Sequence, residues 1–211
     1  MTKAVKERGI LMHARSVDNI LAGRKTQTRR IVKPQPLHNP DSYGLAILRG
    51  NKHEWWALHD PDFPTQDPVL RCPYGQPGDR LWVRETFRPI SGWWHGDASD
   101  EGRPVEYRAS AHSRSDIPWR PSLFMPRWAS RITLEIADVR VQRVQDITAE
   151  DALAEGIEDV WTCAHPTWTQ QDLDACVARF AALWNDTNGA DAWKRNDWCW
   201  CLTFRCAEVE P

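Results

Sequence analysis

No stretch of the chain is apolar for long enough to span a membrane, and the opening residues, MTKAVKERGILMHARS, lack the apolar core of a secretion signal. A cytoplasmic protein with no membrane partner is the expectation. Net basic charge is also missing: 27 Lys and Arg stand against 29 Asp and Glu, for a formal charge of -2. That balance argues against a protein that grips long nucleic acid through backbone charge, while leaving room for a local basic pocket. The six cysteines form no Cys-x-x-Cys unit, and Cys163 with His165 has no further ligands nearby. They read as reduced thiols, and neither a metal site nor a cofactor is expected. There is no Gly-x-Ser-x-Gly elbow, phosphate loop or HExxH helix, which removes the commonest hydrolase and nucleotidase templates. Repeats and low-complexity tracts are absent too, so 211 residues read as one domain, 1–211.

What is present is concentrated. Gly23-Arg24-Lys25-Thr26-Gln27-Thr28-Arg29-Arg30 packs one lysine, two hydroxyls and three arginines into eight residues after a short apolar helix pattern. Neighbouring guanidinium charges disfavour a protonated amine, so Lys25 is expected to have a lowered pKa and to be fit to act as a base. Thr28 offers a hydroxyl that becomes a nucleophile once a base takes its proton. The competing reading is a solvated basic face or a strip that contacts phosphate. Geometry adds a condition: in a regular strand Lys25 and Thr28 point to opposite faces, and a turn at Gly23 would have to reorient Lys25.

The pattern Gly-x-Lys-x-x-Thr-x-Arg, here Gly23, Lys25, Thr28 and Arg30, resembles the signature of the ASCH family, small PUA-like barrels related to RNA-binding domains. Pro77-Gly78-Asp79-Arg80-Leu81-Trp82-Val83-Arg84-Glu85 is similar to that family's Gly-Asp turn and barrel strand, and CPYGQPGDRLWVRETF to its larger members, often carried by prophages. Residues 147–157 resemble the helix bearing the family's acidic site residue. The resemblance spans about residues 10 to 157, with the last strand extending it to the C-terminus.

Element patterns agree with a small fold. Ser16 reads as a helix cap before residues 17–22, with Gly23 as terminator. Strands are expected at 28–32, 81–87, 105–108, 131–136, 139–144 and 198–209, and helices from Thr148 through Glu155 and from about Gln170 to Trp184. Residues 33–76 and 88–127 read as insertions, the first irregular and pinned down by Trp55 and Trp56. Most of the thirteen tryptophans are expected to be packing, with one or two free to stack on a base. The fold class is α+β: a small, mostly antiparallel PUA-like β-barrel with flanking helices and long loop insertions.

The resemblance implies two activities of different kinds. One is a metal-independent amidohydrolase that removes the acyl group from N4-acetylcytidine and related N4-acylated cytidines, with Lys25, Thr28 and Glu155 at the matching catalytic positions. Arg30, Arg24, Trp82 and Glu85 are the expected substrate-binding residues. The other is an RNA-binding PUA-like module, with ribonuclease action proposed for some members. A free modified nucleoside or base suits the acidic balance better than a polymer, and no obligate protein partner is evident. Glu155 has two competing roles, orienting Lys25 or binding the pyrimidine edge, and an ionised Glu155 would raise the Lys25 pKa unless an arginine held it off. Glu150, Asp151 and Glu155 also read as the polar side of a surface helix.

Overall fold

The computed structural model describes residues 4–35, 44–50, 53–59, 69–70, 72–90, 95, 101–110, 116–157 and 169–209, those within 44–70 by their backbone. It has α+β architecture. Five strands, β1 (Glu7–Leu11), β2 (Gln27–Ile31), β6 (Arg80–Arg84), β9 (Ile132–Arg143) and β10 (Trp198–Val209), form the main sheet in the order β1-β6-β9-β10-β2. β1 runs parallel to β6, and the remaining pairings are antiparallel. β9 and β10 are its long central pair, with twelve residues each.

The period-two pattern of β10 explains how both faces of this sheet are used. Trp198, Trp200, Leu202 and Phe204 join a core with Val17 and Ile20 of α1 (Ala14–Leu21). Cys199 points the other way, into a second core with Ala149 and Ala152 of α2 (Ala149–Ala154) and Phe180 and Trp184 of α3 (Gln170–Asn188). A strand buried on both faces has little room for polar alternation, which is why β10 reads as a nearly continuous aromatic and thiol run. Across β2, Arg29 lies opposite Cys201 and Thr28 opposite Leu202. Facing residues of an antiparallel pair share a face, so Gln27 and Arg29 look toward α2 and α3, while Thr28 and Arg30 look toward α1.

Several sequence expectations are corrected here. α1 starts at Ala14 behind His13, so Ser16 lies inside the helix instead of capping it. The two expected strands at 131–144 are one strand, β9, whose pairing with β10 shifts register between Thr203 and Phe204; such an irregularity lets a long strand bend without ending. The expected strand 81–87 divides into β6 and β7 (Phe87–Pro89), and β7 pairs with β8 (Val105–Tyr107). The described residues of 33–76 are not all irregular: β3 (Gly44–Gly50), β4 (His53–His59) and β5 (Val69–Leu70) form an antiparallel sheet, its β-prone residues hidden in the sequence among Pro, Asp and Asn. The anchoring role expected of Trp55 and Trp56 lies outside the described residues, as do Trp93, Trp94, Cys163 and His165. Thr148 caps α2 by accepting from the Asp151 N–H, and Thr169 with Asp172 forms a reciprocal capping box that opens α3.

Gly23 and Gly156 terminate α1 and α2 with positive φ, +71° and +87° respectively. They differ in their surroundings. A Cβ on Gly23 would meet nothing within 4 Å, whereas one on Gly156 would lie 2.8 Å from Asn19 Nδ2. Gly23→Ala is therefore expected to cost about 1 kcal/mol, the conformational penalty alone, and Gly156→Ala about 2–4 kcal/mol through added displacement of Asn19. Denaturant melts of both variants check this, and equal losses would show that the Asn19 contact is dispensable.

Candidate active site

Lys25 precedes β2, which begins at Gln27, and so escapes the alternation that would separate it from Thr28. The turn is held by Asn19: its backbone carbonyl accepts from the Arg24 N–H (2.8 Å) and the Lys25 N–H (3.0 Å), and its side-chain Nδ2 donates to the Gly156 carbonyl (2.7 Å). The Thr26 N–H donates to the Ala154 carbonyl at 2.8 Å. These bonds press the loop after α1 against the C-terminal end of α2. A buried Asn with every polar group engaged is a fixed clamp, because breaking one bond would strand a desolvated partner.

Lys25 Nζ donates to Glu155 Oε2 at 2.7 Å and to the Glu155 backbone carbonyl at 2.7 Å. Both residues are buried, with 5% and 7% of their surface exposed, so this is an ion pair largely withdrawn from water. The helix C-terminus adds to it, since its carbonyl ends carry partial negative charge that favours a cation. The Lys25 pKa is nonetheless lowered. Burial is the main cause, Glu155 opposes it through charge and hydrogen bonding, and Arg30 and Arg29 add smaller lowering contributions. The expected direction holds, and two of the three neighbouring arginines contribute to it; Arg24 does not, being exposed and donating to Asn19 Oδ1 at 2.7 and 3.1 Å.

Arg29 stands on the other side of Glu155. Its side chain is fully buried; NH1 donates to Gln27 Oε1 at 2.5 Å and to Glu155 Oε1 at 3.4 Å, and NH2 to Asp151 Oδ2 at 2.6 Å. Asp151 also accepts from Gln27 Nε2 (3.1 Å) and Arg140 NH2 (3.2 Å). Burial pushes the Asp151 carboxyl upward, but the Arg29 charge and the hydrogen bonds from Arg29, Gln27 and Arg140 outweigh it and hold the pKa below its ordinary value. Asp151 and Glu155 are thus turned into this network, and the surface-helix reading holds only for Glu150, which is exposed.

A cavity of about 360 Å³ opens beside this network. Lys25, Thr28, Arg29, Arg30 and Glu155 line it together with His13 just before α1, Arg15 of α1, and α3 residues such as Phe180 and Trp184. Thr28 is 3% exposed, and its hydroxyl has no hydrogen-bond partner among the described residues. Arg30 NH2 donates to the Leu11 carbonyl at 2.6 Å. Three expected substrate contacts lie elsewhere: Arg24, Trp82 and Glu85 do not line this cavity. Trp82 sits beside the Arg84 guanidinium, 5.3 Å from its ring centroid, and Glu85 is buried in a bidentate pair with Arg131 at 2.9 and 3.1 Å. Burial raises the Glu85 pKa against the pull of Arg131.

Compared with family models, curated proteins and solved structures, the chain matches none. The chemistry of the cavity must therefore be argued from its own residues. Among the described residues no cluster of three His, Cys, Asp or Glu side chains is placed to hold a metal, and the five described cysteines form no disulfide with one another. Burial lifts the Cys201 thiol to about 12 and raises that of Cys199 as well, so neither is a thiolate near neutrality. What remains is an amine of reduced basicity, an unengaged hydroxyl and a carboxylate between two cations. Such a set can move a proton and present a nucleophile.

Asn19, Gln27, Arg29 and the α3 side chains were not singled out from the sequence. A polar Asn within the apolar pattern Val17-x-x-Ile20 was the one available signal. Because the folded Asp151 pKa is depressed, its stabilisation is present above the unfolded carboxylate value of 3.8 and is lost as pH falls through the lower folded value. Asp151→Asn is therefore expected to lower the melting temperature at pH 7 and to flatten its fall between about pH 5 and pH 2. An unchanged acid limb would place the acid-sensitive group elsewhere.

Proposed function

We propose that this chain is an amidohydrolase that removes the acyl group from N4-acetylcytidine and related N4-acylated cytidines, giving the free amine and a carboxylic acid. The carrying observation is the convergence of Lys25, Glu155 and an unengaged Thr28 hydroxyl on one cavity, from sequence positions up to 130 residues apart. These are the three catalytic positions that the ASCH-like motifs imply. The cavity volume of about 360 Å³ falls in the range of small-molecule pockets, which favours a nucleoside or base over a polymer. On the same reading the main sheet is the wall of a PUA-like barrel, and the bond from Arg30 to the Leu11 carbonyl draws its two edge strands together.

The steps proposed use the groups that line this cavity. Neutral Lys25 takes the Thr28 proton, and Thr28 Oγ adds to the acyl carbonyl. The bond from the acyl carbon to N4 breaks as the Lys25 ammonium returns that proton to the departing amine. Water then adds to the Thr28 ester with Lys25 again accepting a proton, and collapse releases the carboxylic acid and restores the hydroxyl. Glu155 holds the Lys25 amine in place through both the cycle's charge states, while its second oxygen is engaged by Arg29. Arg30 cannot shuttle protons, because its guanidinium stays charged, and it serves to orient the substrate.

Purified protein is expected to release cytidine from N4-acetylcytidine, measured by chromatography, with unchanged rate in excess chelator. Lys25→Arg should lose at least about 100-fold in kcat/KM because arginine cannot act as a base. Thr28→Val, nearly identical in shape, should be as inactive as Thr28→Ala, while Thr28→Ser keeps measurable turnover. Substantial turnover by Thr28→Val would make an activated water the attacking species. No cytidine at high protein concentration would instead favour the RNA-binding reading, in which Arg15 and Arg30 at the cavity contact phosphate and binding falls steeply with salt.

A further inference from the structure

We propose that Arg29 is a positioning residue of this site: bridging Glu155 and Asp151, it sets how firmly Glu155 holds the Lys25 amine. The inference rests on the function proposed above, but its physical content is independent of turnover. Glu155 presents one oxygen to each cation, Oε2 to Lys25 at 2.7 Å and Oε1 to Arg29 at 3.4 Å. Arg29 in turn makes its shorter contact, 2.6 Å, with Asp151. The four charges form an alternating row, Lys25–Glu155–Arg29–Asp151, closed at its far end by Arg140.

In such a row each group is tuned by the next. The longer Arg29–Glu155 contact draws part of the carboxylate charge away from Lys25, and the shorter Asp151 contact limits how much Arg29 can draw. Its remaining hydrogen bonds, to Gln27 Oε1 and Gln142 Oε1, go to neutral groups, so the two carboxylates are its charged partners. Its side chain is fully buried, and its guanidinium lies 5.8 Å from the centroid of the Phe180 ring. An arginine suits this place better than a lysine, because a planar fork reaches two carboxylates and the Gln27 oxygen at once.

The other charged groups near Lys25 do not replace it. Arg30 adds positive charge from the same strand but contacts the Leu11 carbonyl, not Glu155. From β10, Cys201 and Cys199 are thiols whose raised pKa keeps them neutral across the working range. From β9, Arg140 reaches Asp151, and Gln142 accepts from Arg29 at 3.4 Å. His13 just before α1, Arg15 of α1 and Asp186 of α3 line the same cavity, so titration must be followed at Lys25 itself and not through rate alone.

The test is an NMR titration of the Lys25 side chain in ¹³C,¹⁵N-labelled protein, its resonance assigned by its loss in Lys25→Met. Arg29→Gln removes the cation and frees Glu155 for Lys25, so the Lys25 midpoint should rise by about one pH unit. Asp151→Asn frees Arg29 to lean on Glu155, so the midpoint should fall by about half a unit or more. The rising limb of kcat/KM against pH should move with it in both variants, with KM little changed. Movement in the same direction for both, or no movement in either, overturns the proposal. Should Arg29→Gln fail to fold, the downward shift in Asp151→Asn carries the test, and its absence overturns the proposal alone. Wild-type protein that releases no cytidine refutes the proposed function, while the opposed midpoint shifts would still establish the part played by Arg29.

Discussion

The buried pair between Lys25 and Glu155 is the interaction on which the rest of this site depends. An isolated ammonium or carboxylate in this environment would be costly, and the attraction of the pair offsets its desolvation only when geometry and remaining hydrogen bonds are satisfied. The surrounding structure supplies both. Lys25 Nζ has the Glu155 backbone carbonyl as a second acceptor, and Glu155 Oε1 has Arg29. The loop carrying Lys25 and the helix end carrying Glu155 are tied by Asn19 and by the bond from Thr26 to Ala154. Gly156 has to be glycine for that tie to form at its present distance.

Lying ahead of a strand and not within it, Lys25 reaches the same cavity as Thr28. β2 holds Thr28 by pairing with β10 opposite Leu202, and the turn at Gly23 brings Lys25 in from outside the strand. A rigid strand and a clamped loop thus meet at one cavity, which suits a reaction requiring fixed approach of base and nucleophile. Burial lowers the basicity of Lys25 while the charge and hydrogen bond of Glu155 oppose that lowering. The balance between these opposing effects, and not the crowd of arginines alone, tunes the amine.

Much of the frame was legible in the sequence because it depends on local pattern. β10 follows from the alternating run at 198–209, and α2 from Thr148 three residues before Asp151. Lys25, Thr28 and Glu155 were named through the resemblance of their motifs, and the fold brings all three to one cavity. The contacts that define their environment join residues such as Asn19 and Gly156, 137 apart, or Arg29 and Asp151, 122 apart, and no local pattern encodes them. Arg29 was read as a member of a basic run, since only the fold shows which arginine turns inward. The β3–β4 hairpin was missed because turn-forming residues around it outweighed its short apolar stretches.

The central claim is that Lys25 and Glu155 are stabilising as a pair and not as separate residues. A double-mutant cycle with Lys25→Met and Glu155→Gln, followed by denaturant unfolding at pH 7, tests it most directly. Each single change leaves a buried polar group without its partner and is expected to cost about 3 kcal/mol, while the double variant should lose well under the sum, a coupling of about 2 kcal/mol. Single losses that add to the loss of the double variant would mean that the two side chains do not depend on each other, and would contradict the account.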